Sequence, residues 1–333
     1  MRKITLIEGD GIGPEITLAV VRVFEATKVP IEWEWENAGQ VSLTEKGELI
    51  PESLVASIKS NRVALKGPIT TPIGKGFKSV NVQLRQMFDL YQNVRPCATT
   101  KGVESVFKGV DLVIFRENTE GLYSGLEYYD ERLGMADSIA RVTKSGCLKI
   151  VRAAFEYAKK HNRKQVTLIH KANILKSIGK LFLDAGKEVK EDYPDIEMND
   201  RIIDNMCMQL VIRPQTFDIL VTTNLFGDII SDLCAGLVGG LGLVAGANIG
   251  DGIAIFEAVH GSAPDIAGKG IANPTALLRS ALMMLNHIEM FDHAKKVEEA
   301  LNKTLFVKEQ TTADLGGKAS TEEFTQNIIK NLN

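Results

Sequence analysis

The sequence predicts an α/β fold, and three observations carry the prediction. Short apolar runs at residues 4–7, 111–115, 166–169 and 217–221 read as buried strands, and stretches with a helical apolar stripe alternate with them. The run at 166–169 delivers His170-Lys171-Ala172-Asn173 at its end, the side on which open α/β sheets gather ligands. With 333 residues, 44% of them apolar, the chain can form two lobes of ordinary domain size and bury a substantial core.

Charge and cysteine usage narrow the function classes. A formal charge of −3, with acidic and basic residues interspersed, offers no basic face or tail to a nucleic acid or a membrane surface, so small molecules are the expected partners. Cys97, Cys147, Cys207 and Cys234 are widely spaced, form no C-x-x-C pair and follow no secretory leader, so a reduced, cytoplasmic setting with buried thiols is expected. Residues 233–250 are uncharged and nearly long enough to span a membrane, but their six glycines suit turns and close backbone packing instead.

The first strand runs into Glu8-Gly9-Asp10-Gly11-Ile12-Gly13-Pro14-Glu15 and a helix to about Ala26. The dinucleotide fingerprint needs a third glycine where Ile16 stands and an acid at the next strand end, so an ordinary Rossmann fold is disfavoured. Pro14 suits a first helical turn, and the glycines let the backbone pass close to another strand or a ligand. Residues 31–35 alternate as a half-exposed strand, 51–58 read as a short helix, and 66–76 form a loop rich in turn formers. Ser79 and Asn81 stand at a helix start with Arg85 one turn below Asn81; Arg95 and Arg116 follow strands. Three arginines at element ends could clamp a polycarboxylate, although each alone reads as a surface ion-pair residue.

Tyr123 ends the loop Glu117-Asn118-Thr119-Glu120-Gly121-Leu122-Tyr123, either as a proton donor or as a packing residue. An arm strand at 138–142 and a helix at 146–160 come next, and Asp204 at a helix head would pass for a cap. In Thr222-Thr223-Asn224-Leu225-Phe226-Gly227-Asp228-Ile229-Ile230-Ser231-Asp232, the two aspartates leave one helical face four residues apart. They repel unless a cation sits between them, and hard oxygen donors favour magnesium or manganese; Asp228 as a cap with Asp232 solvated is the open alternative. The long polar segment 257–274 before a helix at 275–285 reads as functional, and two more helices with a turn at 313–317 finish the chain.

Six motifs occur in order: Ser79-x-Asn81-x3-Arg85, Arg95-Pro96, Arg116-Glu117-Asn118-Thr119-Glu120-Gly121-x-Tyr123, His170-Lys171-x-Asn173, Asn224-x2-Gly227-Asp228-x2-Ser231-Asp232 and His260-Gly261-Ser262-Ala263-Pro264. Together they closely resemble the β-decarboxylating dehydrogenases, the family of isocitrate, isopropylmalate, homoisocitrate and tartrate dehydrogenases, and most closely its NAD-dependent isocitrate members. The match runs from Ile4 to Gly317. The resemblance implies a two-domain isocitrate/isopropylmalate dehydrogenase-like fold with a twisted mixed sheet flanked by helices. Residues 1–96 and 247–333 would form the large, cofactor-side domain. Residues 97–246 would form the small domain, with the dimer interface, the metal aspartates and an arm near 124–143.

The resemblance further implies a homodimer, possibly assembling further, whose active sites are shared, with Lys171 and Asp204 coming from the neighbouring protomer. Asp204, Asp228 and Asp232 would hold Mg2+ or Mn2+; Ser79, Asn81, Arg85, Arg95 and Arg116 would bind isocitrate; Tyr123 and Lys171 would be catalytic. NAD would be held by Ile12, Thr70, Asn173, Glu257, His260, Gly261, Ser262, Ala263, Asp265, Ile266, Asn273 and Asp314. Family members that use NADP carry 2'-phosphate-binding side chains where this chain has Asp265, Ile266, Ala313 and Gly317, which implies NAD. The implied reaction is oxidative decarboxylation of isocitrate to 2-oxoglutarate. Homoisocitrate and isopropylmalate are the alternative substrates, and a non-catalytic regulatory subunit is the alternative of another class; the presence of Tyr123, Lys171 and all three aspartates weighs against the last.

Overall fold

Ten strands join into one mixed sheet in the computed structural model, which describes residues 1–71 and 78–332. The first third of the chain supplies β1 (Arg2–Ile7), α1 (Gly13–Ala26), β2 (Ile31–Glu36), α2 (Gln40–Lys46), α3 (Glu52–Asn61), β3 (Val63–Lys66), α4 (Val80–Met87) and β4 (Gln92–Ala98). The middle supplies β5 (Asp111–Glu117), β6 (Gly121–Asp130), β7 (Met135–Arg141), α5 (Lys144–Lys160), β8 (Gln165–His170), α6 (Lys176–Lys190), β9 (Glu197–Ile202), α7 (Ile203–Ile212), β10 (Ile219–Thr222) and α8 (Asn224–Val238). The chain then returns through β11 (Ala245–Ile249), β12 (Ala254–Ala258), α9 (Thr275–His287), α10 (Phe291–Phe306) and α11 (Thr321–Lys330). Part of the loop expected at 66–76, residues 72–76, lies outside the described residues.

The sheet order is β2-β1-β3-β12-β11-β4-β5-β10-β8-β9. Strands β3, β10 and β12 are buried at every residue, as strands covered by helices on both faces must be, whereas the edge strand β2 has no fully buried residue and does not show the alternation expected of residues 31–35. Pairing is parallel except around β4 and β11, which run antiparallel to each other and to their outer neighbours β5 and β12. The domain boundaries expected at Pro96 and Gly246 fall inside these two central strands. A separate hairpin of β6 and β7 extends from the body, with Tyr128, Tyr129 and Ile139 exposed.

Strand direction positions the site. In the parallel set β5, β10 and β8, register aligns Thr222 with Arg116 on one side and Ile169 on the other, so three strands end side by side. Antiparallel β4 brings its first residues to the same edge, with Asn93 opposite Arg116. The glycine-rich turn after β1 approaches other backbone: a Cβ on Gly11, whose φ is +62°, would stand 2.0 Å from the Ser262 carbonyl oxygen. Two loops therefore cross there, and the Ile12 N–H donates to that same carbonyl at 2.9 Å.

The helix starts correct two readings. Because α8 begins at Asn224, Asp228 sits a full turn inside it and does not cap it. Asp204 is likewise not a cap, since it is the second residue of α7 and Ile202 holds the N-cap position. The segment 233–250 divides into the end of α8, a short 3-10 turn and β11, and no helix among the described residues is long and apolar enough to cross a membrane.

Candidate active site

Asp228 is gripped from three sides. Its Oδ2 accepts the Tyr123 hydroxyl at 2.6 Å, its Oδ1 pairs with the Arg116 guanidinium, and Arg95 stands 3.8 Å from Oδ1. Arg116 is aimed by Asn224, whose Oδ1 accepts from Nε at 3.0 Å and Nη2 at 2.8 Å, and it lies 5.1 Å from the centre of the Tyr123 ring. Arg95 is aimed by a bond to Ser231 Oγ and reaches Asp232 Oδ1 at 3.5 Å. Gly227 makes room for this, since a Cβ there would meet the Arg116 side chain at 2.4 Å.

These contacts split the two carboxylates. Burial pushes the Asp228 pKa up, but Arg116, the Tyr123 hydroxyl and Arg95 outweigh it and hold the group below the usual aspartate range. Asp232 is raised, by burial first, with Arg95 opposing and Asp228 adding repulsion. Burial and the bond to Asp228 keep Tyr123 protonated, and burial among the other arginines lowers Arg116 to about 10.

Arg85, buried on α4, is held by Glu257 at 3.2 Å, and Glu257 is also paired with Lys66 at 2.6 Å and accepts from Asn248 Nδ2 at 2.7 Å. Ser79 is the N-cap of α4, its Oγ accepting from the Val82 N–H at 3.5 Å. Asn81 Oδ1 is buried beside Arg85 and has no hydrogen-bond partner among the described residues. Nothing local marks Lys66 or Asn248 as part of a site; their role arises from strand register, which sets Glu257 opposite Lys66.

Lys171 and Asp204 form their own pair, Nζ to Oδ1 at 2.6 Å, which lowers the Asp204 pKa. Neither shares a hydrogen bond or ion pair with Asp228 or Asp232 among the described residues. Within one chain no three acidic, histidine or cysteine side chains converge on a metal-sized site among those residues. The donor set nevertheless fits a hard dication: Asp228 and Asp232 offer carboxylate oxygens one turn apart, both partly exposed and facing the arginine cluster.

A separate cavity of about 490 Å3 is lined by Ile12, His260, Gly261, Ala263, Ile266, Asn273 and Asp314 from the expected cofactor set. Gly242, Ile271, Ala272 and Ala313 complete the wall. Ser262 stands at its edge, hydroxyl to hydroxyl with Thr70 at 2.6 Å, and Asp314 accepts from Asn273 Nδ2 at 2.9 Å. His260 Nδ1 faces the Gly261 carbonyl at 3.0 Å, burial holds its pKa down, and its buried Nε2 has no partner among the described residues. That free acceptor beside an apolar wall fits a flat heteroaromatic ligand carrying an amino donor. Glu257, Asp265 and Asn173 do not line this cavity: Glu257 is buried among cations, and Asp265 and Asn173 are exposed. The cavity wall is anchored by a residue sequence reasoning missed, Glu15, whose carboxylate accepts from the Gly270 N–H (3.3 Å), the Ala272 N–H (2.8 Å) and the Thr321 hydroxyl (2.6 Å).

Comparison with known proteins gives first a class and then a family. A solved isocitrate dehydrogenase from Methylococcus capsulatus has the same fold with a TM-score of 0.97 and 51% identity, over 100% of this chain and 99% of that one. The protein is thus an enzyme of the dehydrogenase class. The family model described as isocitrate/isopropylmalate dehydrogenase matches residues 3–328, and the chain belongs to that family. Among curated relatives, the Arabidopsis thaliana mitochondrial isocitrate dehydrogenase [NAD] catalytic subunit 5 is 51% identical, across 98% of this chain and 88% of its own length. A mitochondrial isocitrate dehydrogenase [NAD] regulatory subunit from Dictyostelium discoideum is 49% identical, across 100% of this chain and 92% of its own length.

Proposed function

We propose that the protein oxidises isocitrate to 2-oxoglutarate and carbon dioxide with reduction of NAD, dependent on Mg2+ or Mn2+. The observation that carries the reading is the convergence of Arg95, Arg116 and Tyr123 on the two half-open aspartates of α8, with Arg85 near enough for its charge to lower Asp228, a setting for a substrate with several carboxylates and a proton to receive. Asp228, Asp232 and Asp204 of a second copy would hold the cation, which when bound supplies charge compensation and Lewis acidity.

The chain's own groups do the rest. Arg95 and Arg116, already oriented by Ser231 and Asn224, bind and align carboxylates. Ser79 and Asn81 donate to the outer carboxylate, a polar end that suits isocitrate better than isopropylmalate. Lys171 of the second copy receives and passes on the hydroxyl proton at Nζ, and the Tyr123 O–H delivers a proton to the carbon left when carbon dioxide departs.

NAD supplies the hydride acceptor, and the apolar cavity beneath His260 is its proposed seat. Asp314, a carboxylate in the cavity wall, supports NAD over NADP because it would repel a 2'-phosphate; exposed Asp265 supports this less. A dimer of this chain is supported by the separation of the Lys171–Asp204 pair from Asp228 and by exposed apolar side chains on β6, β7 and α7, among them Tyr129, Ile139 and Ile212. Four free cysteines suit a reducing compartment, which we take to be the cytoplasm, although curated relatives are named mitochondrial.

One relative carries the name of a regulatory subunit, so turnover by the chain purified alone is the deciding observation between catalyst and regulator. Isocitrate-dependent NADH formation that stops on chelation is expected. No turnover at any metal concentration, with binding retained, would make the chain a regulatory subunit.

A further inference from the structure

Beyond these roles, and resting on the reading of Lys171 as the proton relay, we propose that His170 is a positioning residue that fixes the Lys171 turn through one imidazole tautomer. His170 ends β8 and is buried. Its Nδ1 lies 3.0 Å from the Ala172 backbone N, whose N–H it accepts, so the ring proton sits on Nε2. That Nε2–H donates to Asp200 Oδ2 at 3.0 Å, on the neighbouring strand β9. The ring is thereby clamped at both nitrogens. Lys171, between the two backbone positions that the ring ties together, has little freedom left.

The far side of the turn is held as well. The Lys171 carbonyl accepts from the Ile174 N–H at 3.0 Å and the Leu175 N–H at 2.8 Å. Helix α6 presses on Ala172 at Gly179, where a Cβ would stand 2.5 Å from the Ala172 Cα. With its backbone fixed from both sides, Lys171 projects its Nζ to Asp204 at 2.6 Å. A long flexible side chain that must meet a reacting oxygen gains most from an anchored base, since a misplacement of about 1 Å can cost on the order of a hundredfold in rate.

Two amide replacements separate the two ring nitrogens. The oxygen of His170→Asn falls near Nδ1 and can still accept the Ala172 N–H, whereas the nitrogen of His170→Gln falls near Nε2 and keeps only the Asp200 bond. For His170→Gln, kcat should fall by roughly tenfold or more with KM for isocitrate and NAD little changed, while His170→Asn stays within about threefold of the parent. In mixed dimers, the His170→Gln chain should restore activity to an Asp228→Asn chain, as a Lys171→Met chain is also expected to do, because the lesion follows the lysine to the other site. Equal losses in the two variants, or a loss confined to KM, would overturn the positioning role. If Lys171→Met itself retains full turnover, the relay reading fails, and this shows separately from the contrast between Asn and Gln at 170.

Discussion

The Tyr123 hydroxyl donates to Asp228 Oδ2 at 2.6 Å while Arg116 holds the other carboxylate oxygen, so the proposed proton donor and the central carboxylate of the site are locked to each other. Tyr123 is raised in pKa by burial and by this bond, and so keeps its proton at neutral pH. Tyr123→Phe should therefore lower kcat by about 10²–10⁴-fold with little change in KM for isocitrate. Steady-state kinetics check this; an unchanged kcat would remove Tyr123 from the chemistry.

Asp228→Asn should abolish turnover and also the rise in melting temperature that Mn2+ with isocitrate is expected to give the parent, a stabilisation of about 2.7 kcal/mol at a hundredfold excess over Kd. A thermal-shift titration reads this without activity. Mixing the variant with Lys171→Met should restore activity if sites are shared between copies, and a persistently inactive reassembled mixture would show that they are not.

Glu257 gives the clearest pH dependence. Burial alone would raise its pKa, but Lys66 and Arg85 dominate and hold it far below the ordinary glutamate value. A depressed folded-state pKa means that the stabilisation is present above the unfolded value of about 4.3 and is lost progressively as pH falls below it. Glu257→Gln should flatten that acid limb and, by leaving two buried cations unpaired, cost about 3–5 kcal/mol near neutrality. Urea melts between neutral and acid pH measure both effects, and parallel curves for the two proteins would contradict the assignment.

Glu15 ties the cavity wall to α11 through Ala272 and Thr321. Glu15→Gln should raise KM for NAD by about three- to tenfold, by loss of one or two charge-assisted bonds, and leave KM for isocitrate unchanged. Equal changes in both constants would mean a general loss of structure.

How much could be read in advance follows the distance over which each feature is determined. Asp228 and Asp232 were legible because helical spacing alone puts them on one face, and the ends of β5 and β8 were legible from apolar runs that stop at Arg116 and His170. Helix α2 was not: it opens at Gly39, and the N–H groups of Gln40 and Val41 are satisfied by Asp10 from another loop, at 3.1 and 2.9 Å. Strand β9, Glu197–Ile202, is a half-exposed edge strand without apolar alternation. The Lys66–Glu257 pair depends on which strands become neighbours, a fact of topology that no local pattern contains.

The central claim is the substrate, and the most direct measurement is the specificity constant for isocitrate, homoisocitrate and isopropylmalate with NAD. Isopropylmalate would set hydrocarbon against Ser79 and Asn81, whose bonds to a charged partner are worth about 1–3 kcal/mol each, and one extra methylene in homoisocitrate changes binding by a similar amount. The expected order is isocitrate first, homoisocitrate weak and isopropylmalate negligible, with Ser79→Ala and Asn81→Ala each lowering the constant for isocitrate. A preference for homoisocitrate by about tenfold or more, roughly 1.4 kcal/mol, would contradict the account.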